Sequence, residues 1–303
     1  MIVPESPQIR RMVQYIGRPL LLVAAYDVVI VVAYKVLHWE WVAFPHVPLA
    51  LYGSAIGVIL SFRNASAYAR WWEARNLWGA IVNNSRSLAR QVLTGMRANE
   101  GEQEALAAMQ HRLVYHQIAF VQALRQHLRG LEVMSVVTPL LDAEDADRLR
   151  GQKNVPMALQ RQMGALLQQS EARGWLNPLQ WQAMDQSLND LTDAQGGAER
   201  IKNTPMPKQY DYYPQLFVQI YCLLLPLAMV TNLGWFTPLG STLVAFIFLA
   251  LDKIGRDLED PFDNTIFDVP LTAIATTIEI NLRQMLGETV VPEPEKPIAG
   301  VLW

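Results

Sequence analysis

The chain has 303 residues, of which 51% are hydrophobic and 17% are charged, and its formal net charge is −3. Soluble domains average about 25% charged residues, so part of this chain is expected to face a solvent other than water. The small negative net charge gives no case for nucleic acid as a partner. The single cysteine, Cys222, excludes an intramolecular disulfide and any zinc site that needs several cysteines.

The N-terminal residues predict a surface helix followed by a first membrane span. Apolar residues at helical spacing within residues 1–17 indicate a short amphipathic helix on the membrane surface. No small-x-small cleavage site follows the apolar run at residues 19–34, so this run is interpreted as a retained span and not as a signal peptide. Its one charged residue, Asp27, is a candidate site residue. The alternative is a carboxyl group that is hydrogen-bonded between helices.

The longest regular stretch runs through residues 49–88. It contains no proline and only three glycines, so one continuous helix is predicted, which begins in hydrocarbon and emerges into water near Arg63. Ser54, Val58 and Phe62 follow one another at a spacing of four and therefore share one helix face. Small residues beside them permit close helix packing. Such a stripe is typical of a pore-lining helix; an ordinary packed spanning helix is the alternative.

The region at residues 82–208 is predicted to be water-soluble and helical, with one apolar helix face and no alternation of the kind that strands show. Asn177-Pro178 marks the start of one of its helices. Its three histidines, His111, His116 and His127, do not share a helix face, so no metal site is predicted. No nucleophile elbow or glycine-rich phosphate loop occurs either, and we expect no catalytic residue, no cofactor and no enzyme activity.

Two further spans are predicted near the C-terminus. Residues 212–251 carry no charge, which is enough for two spans of about 20 residues each. A turn at residues 232–238 divides them, with Trp235 and Phe236 as interfacial anchors. Both short turns between spans lack lysine and arginine, while basic residues flank the opposite side. The positive-inside rule therefore predicts that both termini and the soluble region are cytoplasmic, at the inner membrane of a bacterium.

Three blocks of sequence, taken together, resemble the bestrophin family, especially its bacterial branch. The first, at residues 62–79, reads FRNASAYARWWEARNLWG. The second, at residues 196–207, reads GGAERIKNTPMP and is followed by YCLLLPLAMV. The third reads EDPFDNTIFDVPL at residues 259–271 and continues as TIEINLRQMLGE at residues 277–288. Each block alone is a weak signal, and the three in this order make a specific one.

The resemblance implies an all-α membrane protein with four transmembrane helices, a cytosolic helical domain and a homopentameric assembly around a central pore. It places the membrane neck of that pore at Ser54, Val58 and Phe62 and a cytosolic constriction at Leu179. The partners are then the lipid bilayer, permeant inorganic ions and other copies of the chain. The corresponding segments are residues 1–81 (N-terminal helix, two spans and pore helix), 82–208 (cytosolic domain), 209–256 (two spans) and 257–303 (acidic segment, helix and proline-rich tail).

The resemblance also implies a function, namely passive conduction of ions down their electrochemical gradient. An anion (chloride) channel is favoured, because the animal and plant members are chloride channels and because the edges of a phenylalanine collar are electropositive. Arg63 and Arg70 lie near the predicted mouth, but so does an acidic stretch, and charge alone does not decide selectivity. A monovalent cation (sodium) channel of the same architecture and a membrane-anchored helical scaffold are the alternatives.

The acidic stretch after the last span raises the question of calcium, which binds oxygen ligands. Six carboxylates lie within residues 252–268, and animal bestrophins use the equivalent segment as a calcium clasp. This chain departs from that pattern, because Ile266 and Phe267 stand where the clasp has acids. We therefore predict no regulatory calcium site, and expect an acidic turn that is solvated or salt-bridged.

Overall fold

The computed structural model describes residues 1–2 and 14–303. Most of the predicted N-terminal amphipathic helix lies outside the described residues, whereas residues 14–16 are helical. The described residues contain no strand beyond isolated bridges, Ile2 with Val301 and Ile298 with Val301. The all-helical prediction is therefore confirmed for the part of the chain that is described.

The helices are, in chain order, α1 (Arg18–Lys35), α2 (Leu49–Gly95), α3 (Gln103–Leu128), α4 (Met134–Val137), α5 (Ala143–Asp147), α6 (Val155–Ala172), α7 (Pro178–Asn203), α8 (Lys208–Leu233), α9 (Thr237–Asp257) and α10 (Leu271–Met285). Short 3₁₀ turns lie at Glu40–Val42, Thr138–Leu140 and Gly234–Phe236.

The described chain packs as two compact units. The apolar unit comprises residues 14–71 and 205–260, and the polar unit comprises residues 1–2, 72–204 and 261–303. Helix α2 contributes its first part to the apolar unit and its second part to the polar unit. The four segments expected from the sequence have different boundaries, and that division stays a prediction.

Helix α2 is the continuous helix that the sequence predicts. It has 47 residues, which corresponds to roughly 70 Å at the usual rise per residue. The absence of proline after Pro48 explains its length, because a proline would remove a backbone hydrogen bond and clash with the preceding turn. It continues to Gly95, one to two turns beyond the predicted end.

The core of the apolar unit lies between α2, α8 and α9. It is built from Ile56, Leu60, Val218, Tyr221, Cys222, Leu225 and Ala245. Helix α1 packs against both α8 and α9, and a smaller cluster of Ile30, Val31 and Val230 joins α1 to α8. Cys222 is a free, buried thiol, as its position in an apolar run indicates.

In the polar unit, α3 is the central helix and packs against α6, α7 and α10. The apolar face predicted for it is buried throughout and consists of Leu106, Met109, Leu113, Phe120, Leu124 and Leu128. Helix α7 begins at Pro178 as predicted. The Asn177 side-chain oxygen accepts a hydrogen bond from the Gln180 backbone N–H, and the Gln180 side-chain oxygen accepts one from the Asn177 backbone N–H, which completes a capping box.

One stretch of the described chain, Lys208–Asp257, is long and apolar enough to cross a membrane by length and composition. It consists of α8 and α9, separated by the 3₁₀ turn at Gly234–Phe236 where the sequence predicts a break. Helix α1 carries Arg18, Asp27 and Lys35 within 18 residues, and the uncharged part of α2 ends before Arg63. The described chain thus has one candidate span by length and composition, and the division into four spans stays a prediction.

Candidate pore-lining residues and the ion network beside them

The three residues predicted to form the neck lie on one exposed face of α2. Val58 is 56% and Phe62 69% exposed in the single chain, and Ser54 is also exposed. The opposite face of the same turns is buried, with Ile56 and Leu60 in the core of the apolar unit. The three side chains thus share one exposed face of α2, while their role as a pore neck stays a prediction.

The Ser54 hydroxyl donates a hydrogen bond to the backbone carbonyl of Ala50, at 2.7 Å between the oxygens. A hydroxyl has one hydrogen and two lone pairs. With its hydrogen used inside the helix, the Ser54 oxygen faces outward as an acceptor. This oxygen can accept a hydrogen bond from a water molecule or coordinate a cation.

Gly53, which precedes the stripe, is required by the packing of α2 against α8. A Cβ atom at this position would lie 2.7 Å from the Tyr221 hydroxyl oxygen and 3.2 Å from the ring carbon that bears it. Tyr221 itself packs edge-on against Phe248, with 4.8 Å between ring centroids. Close helix packing is therefore confirmed at Gly53. Gly57, one turn later, has no atom within 4 Å of the corresponding position.

Leu179 lies in the polar unit, in the first turn of α7, and its side chain is 77% exposed. The capping box at Asn177 and Gln180 holds the start of the helix and hence the direction of this side chain. Its exposure is compatible with the predicted constriction. No contact in the single chain assigns it that role.

Arg63 corrects the expectation that it is a charge at the mouth of the pore. Its side chain is only 2% exposed. One guanidinium nitrogen donates to Asp252 Oδ1 at 2.7 Å and to the Asp252 carbonyl at 3.2 Å. The other donates to Asp211 Oδ1 at 2.6 Å. Arg256 completes the network through Asp252 Oδ2 at 2.8 Å.

We call this set of two arginines and two aspartates the Arg63 network. Its formal charges cancel, and Asp252 is as deeply buried as Arg63, with 3% of its side chain exposed. Removing one partner of a buried ion pair is costly, because it leaves the other charge buried and uncompensated. The network joins α2 to the start of α8 and to the end of α9.

The next residue, Asn64, adds a second connection between α2 and α9. Its side-chain amide donates to the Leu251 carbonyl at 2.9 Å. Gly255 leaves the space for this contact, because a Cβ atom there would lie 2.2 Å from Asn64 Oδ1. Helices α2 and α9 therefore approach closely at this level, and two adjacent side chains of α2 hold them together.

Asp27 lies in the environment given above as the alternative to a functional site, namely that of a carboxyl group hydrogen-bonded between helices. The side chain is fully buried. Its Oδ2 atom accepts from the Ser241 hydroxyl at 2.5 Å and from the Thr242 hydroxyl at 2.9 Å, while Oδ1 has no hydrogen-bond partner among the described residues. The carboxyl group thus connects α1 to α9.

The acidic residues that follow Asp252 in the apolar unit are engaged by neighbouring groups. Asp257 accepts a hydrogen bond from the Tyr15 hydroxyl, and burial together with this bond raises the pKa of Tyr15. Glu259 accepts from the Met206 amide at 3.3 Å. These contacts pair the two carboxylates with groups of the same unit.

In the polar unit, Asp263 forms an ion pair with Lys202 at 2.6 Å. Asp268 accepts from the Thr265 amide at 2.9 Å and from its hydroxyl at 2.5 Å. Among residues 1–2 and 14–303, no three histidine, cysteine or acidic side chains come together in an arrangement that could hold a metal ion. The acidic turn is thus salt-bridged in part.

A second buried ionic cluster, in the polar unit, was not expected from the sequence. Arg112 forms a double hydrogen bond with Asp145, at 2.7 and 2.6 Å. His116 lies beside them, 1% exposed, with Nε2 3.4 Å from Asp145 Oδ2 and Nδ1 2.8 Å from the Arg112 carbonyl. Burial lowers the pKa of His116. Burial also acts to raise the pKa of Asp145, but the bonds from Arg112 outweigh it and the pKa is lowered.

The sequence carried a signal for the Arg63 network. Arg63 ends one uncharged run, and Asp211 and Asp252 lie directly before and after a second, residues 212–251. If this second run folds back as two spans, as the sequence predicts, all three residues reach the same membrane face. The Arg112 cluster had no comparable signal, since its members are common surface residue types in a polar region.

These features together define a class: an all-helical protein whose apolar unit exposes large hydrophobic side chains. They lie on α1, α8 and α9 and include Leu21, Leu22, Ile220, Leu223, Leu239, Leu243 and Ile247. Exposed apolar surface of this extent is typical of contact with lipid or with other protein chains.

Comparison with known proteins identifies the family. Residues 9–284 match the family described as bacterial/fungal bestrophin protein. A voltage-dependent anion channel-forming protein of Mesorhizobium japonicum is 34% identical over 265 residues, covering 88% of this chain and 83% of the relative. The protein of the same description from Escherichia coli, YneE, is 36% identical over 251 residues, covering 83% and 80%.

Solved structures agree. The crystal structure of a bacterial bestrophin homologue from Klebsiella pneumoniae superposes with a TM-score of 0.82 at 31% identity, covering 89% of this chain and 98% of that chain. This chain therefore belongs to the bacterial bestrophin family and is a membrane protein.

Proposed function

We propose that the chain forms a homopentameric channel that conducts ions passively through a central pore in the bacterial inner membrane. Four segments would span the bilayer: α1, the uncharged beginning of α2, α8 and α9. Both termini and the polar unit would then lie in the cytoplasm. The names of the curated relatives, which describe anion channel-forming proteins, support the channel assignment.

The exposed stripe of α2 is the observation that carries the proposal. Val58 and Phe62 are large apolar residues whose side chains have no cover in the single chain. The opposite side of the same helix turns is buried in the core, and Tyr221 packs closely against Gly53. An apolar face that is left open beside a complete core is typical of a surface with a role in assembly or in a passage. Five copies of the helix around an axis would turn this face toward that axis, where it would narrow the pore.

In the pentamer, the rings of Ser54, Val58 and Phe62 would form the membrane neck, and a ring of Leu179 the cytosolic constriction. Apolar rings narrow a pore and expel water from it. No step of covalent chemistry is required for passive conduction. We therefore expect no enzyme activity.

For selectivity, we favour anions, chloride in particular. The relatives from Mesorhizobium japonicum and Escherichia coli, which are described as anion channel-forming proteins, support this choice. A phenylalanine ring presents the positive edge of its quadrupole to a passing ion, and Phe62 is exposed on the stripe. Five such edges around an axis would attract an anion without any formal charge.

A second candidate is a monovalent cation channel of the same architecture. Two observations favour it: the Arg63 charge is cancelled by Asp252 and Asp211, and the Ser54 hydroxyl faces outward as an acceptor. The neck then has neither a free positive charge nor an outward donor at these positions. Its acceptor oxygens would suit a cation such as sodium.

One sequence of measurements tests these proposals together. The protein is purified in mild detergent, its native mass is determined, and it is reconstituted into planar bilayers with asymmetric potassium chloride. A pentameric mass and a reversal potential near that of chloride support the anion channel. A reversal potential near that of potassium supports the cation channel. A monomer or dimer without conductance would contradict both and favour a scaffold.

A further inference from the structure

We propose that Arg63 is a positioning residue that sets the radial position of Phe62, and not a charge that attracts ions. This inference rests on the proposed function, since it assigns a role to Phe62 as a constriction. It concerns the Arg63 network defined above, with Asn64 as a second connection. The pair Phe62 and Arg63 are adjacent in sequence but face different surroundings.

Phe62 has no side-chain anchor of its own. Its ring is 69% exposed, and adjacent residues on a helix point about 100° apart. The position of the ring therefore depends on where the backbone of α2 is held at this level. The Ser66 hydroxyl donates to the Phe62 carbonyl at 3.0 Å, which stiffens the turn without fixing it relative to the neighbouring helices.

Arg63 supplies the missing constraint. Its two terminal nitrogens bind carboxylates on two different helices, Asp211 on α8 and Asp252 on α9. A planar guanidinium holds such partners in a fixed fork geometry, which a lysine ammonium does not reproduce. The helix that carries Phe62 is thereby tied at one residue to both of its neighbours.

Asn64 ties the same turn a second time, through the Leu251 carbonyl. With adjacent residues anchored to α9, rotation of α2 about its own axis is opposed as well as outward tilt. In a ring of five copies, an outward shift of each Phe62 widens the opening by twice that shift. Loss of the contacts made by Arg63 should therefore allow larger ions to pass.

A role for Arg63 as a mouth charge predicts different behaviour. Its guanidinium is buried, and the network contains two positive and two negative groups. Opposite charges in contact produce little field at a distance, and exposed charges are further screened by salt. A change in the network should thus have a large effect on the discrimination of ions by size and a much smaller effect on the reversal potential.

The test uses four variants of the full chain in bilayers. Arg63→Gln leaves a net negative network, Arg63→Lys keeps the charge but not the fork, and Arg63→Gln with Asp252→Asn restores charge balance. Arg18→Gln makes the same change at an exposed arginine of the apolar unit and is the control. Relative permeability is measured across anions and cations of increasing size, together with the reversal potential.

We expect Arg63→Gln and Arg63→Lys to raise the permeability of large ions relative to small ones severalfold, with the sign of the reversal potential unchanged. The charge-balanced double variant also lacks the fork and should discriminate ions by size as poorly as Arg63→Gln, whereas recovery of the parent's discrimination would show that charge balance and not geometry matters. On a Phe62→Ala background, Arg63→Gln should add no further change in size discrimination. A parent-like Arg63→Lys with a shifted reversal potential in Arg63→Gln would establish a mouth charge and overturn the inference.

A spin label at residue 62 separates this inference from the channel proposal. It is attached to Phe62→Cys on a Cys222→Ala background, and its mobility is measured with and without Arg63→Gln. Greater mobility supports positioning even where no current flows, in which case only the channel proposal fails. An unchanged spectrum overturns the inference whatever the currents show. Should Arg63→Gln not fold, Arg63→Lys and Asn64→Ala take its place in both measurements.

Discussion

The carboxyl group of Asp27 on α1 lies 2.5 Å from the hydroxyl oxygen of Ser241 on α9. This contact, deep between two helices of the apolar unit, is one of two hydrogen bonds that the Oδ2 atom accepts, the other coming from Thr242. The Oδ1 atom has none within the described part of the chain. Asp27 therefore serves as an acceptor that joins helices through one of its two oxygens.

This geometry predicts that Asp27→Asn is tolerated, because an amide oxygen can accept the same two hydrogen bonds. Asp27→Ala should lower the free energy of unfolding by about 1–3 kcal/mol, since the Thr242 hydroxyl loses its carboxylate acceptor and the Ser241 hydroxyl keeps only the Thr237 carbonyl, at 2.8 Å. Thermal unfolding in detergent checks both variants. Equal losses for the amide and the alanine would contradict the assigned role and indicate that the negative charge itself is needed.

Gly53 and Gly57 provide a matched pair of substitutions in α2. Gly53→Ala should destabilise the apolar unit, because the new Cβ would lie 2.7 Å from the Tyr221 hydroxyl. Gly57→Ala has free space in the single chain and should gain up to about 1 kcal/mol from helix propensity. Unfolding in detergent gives the comparison. If Gly57→Ala is the more damaging of the two, that face is covered by another copy of the chain.

Much of the helical architecture was predictable from local patterns. Residues 49–88 lack proline, which correctly predicted a single long helix, and Asn177-Pro178 correctly marked a helix start. The break at residues 232–238 was likewise recognisable from its composition. These signals lie within a few residues of the feature that they specify.

The contacts between distant segments were not predictable in the same way. Arg63 lies 148 residues from Asp211 and 189 from Asp252 along the chain, so only the fold decides whether they meet. For this reason the sequence placed Arg63 near the predicted mouth but did not show that its charge is buried and paired. Its position at the end of an apolar run is equally compatible with a solvent charge and a buried pair.

The buried histidine of the polar unit predicts a pH dependence of stability. Burial lowers the pKa of His116 below its usual value of 6.5, so the unfolded chain binds a proton that the native state does not. The free energy of unfolding should therefore decrease as the pH falls through about 6.5 toward the lower pKa that His116 has in the folded state. Asp145, whose pKa is lowered by Arg112, adds a loss at more acidic pH.

Thermal unfolding at several values between about pH 7.5 and pH 5.5 measures this dependence. His116→Gln should flatten the slope, because it removes the titrating group. His46→Gln makes the same substitution at an exposed position and serves as the control. A slope that His116→Gln leaves unaltered would show that another group causes the pH dependence.

Leu179→Ala tests the proposed cytosolic constriction. Truncating an exposed leucine in the first turn of α7 should leave the fold intact and widen a ring formed by five copies. We expect the permeability of large ions to increase more than that of small ions. Leu131→Ala, at another exposed leucine of the polar unit, is the matched control. Identical permeability ratios for parent and Leu179→Ala would place the constriction elsewhere.

The membrane neck yields the sharpest prediction, because its three positions differ in chemistry. Phe62 is large and exposed, Val58 is smaller, and Ser54 is polar with its oxygen available to water. A ring of serines should remain wet, whereas apolar rings tend to expel water. The barrier to conduction should therefore be concentrated at Phe62, with a lesser contribution from Val58.

On this basis Phe62→Ala should raise single-channel conductance substantially, and Ser54→Ala should change it little. Ser54→Ile should lower conductance, because it adds a second large apolar ring in the same stripe. Single-channel recording in symmetric salt compares all three with the parent. If Ser54→Ile conducts like the parent and Phe62→Ala has no effect, the exposed stripe of α2 does not line the pore, and its apolar side chains are covered by lipid or by a neighbouring helix instead.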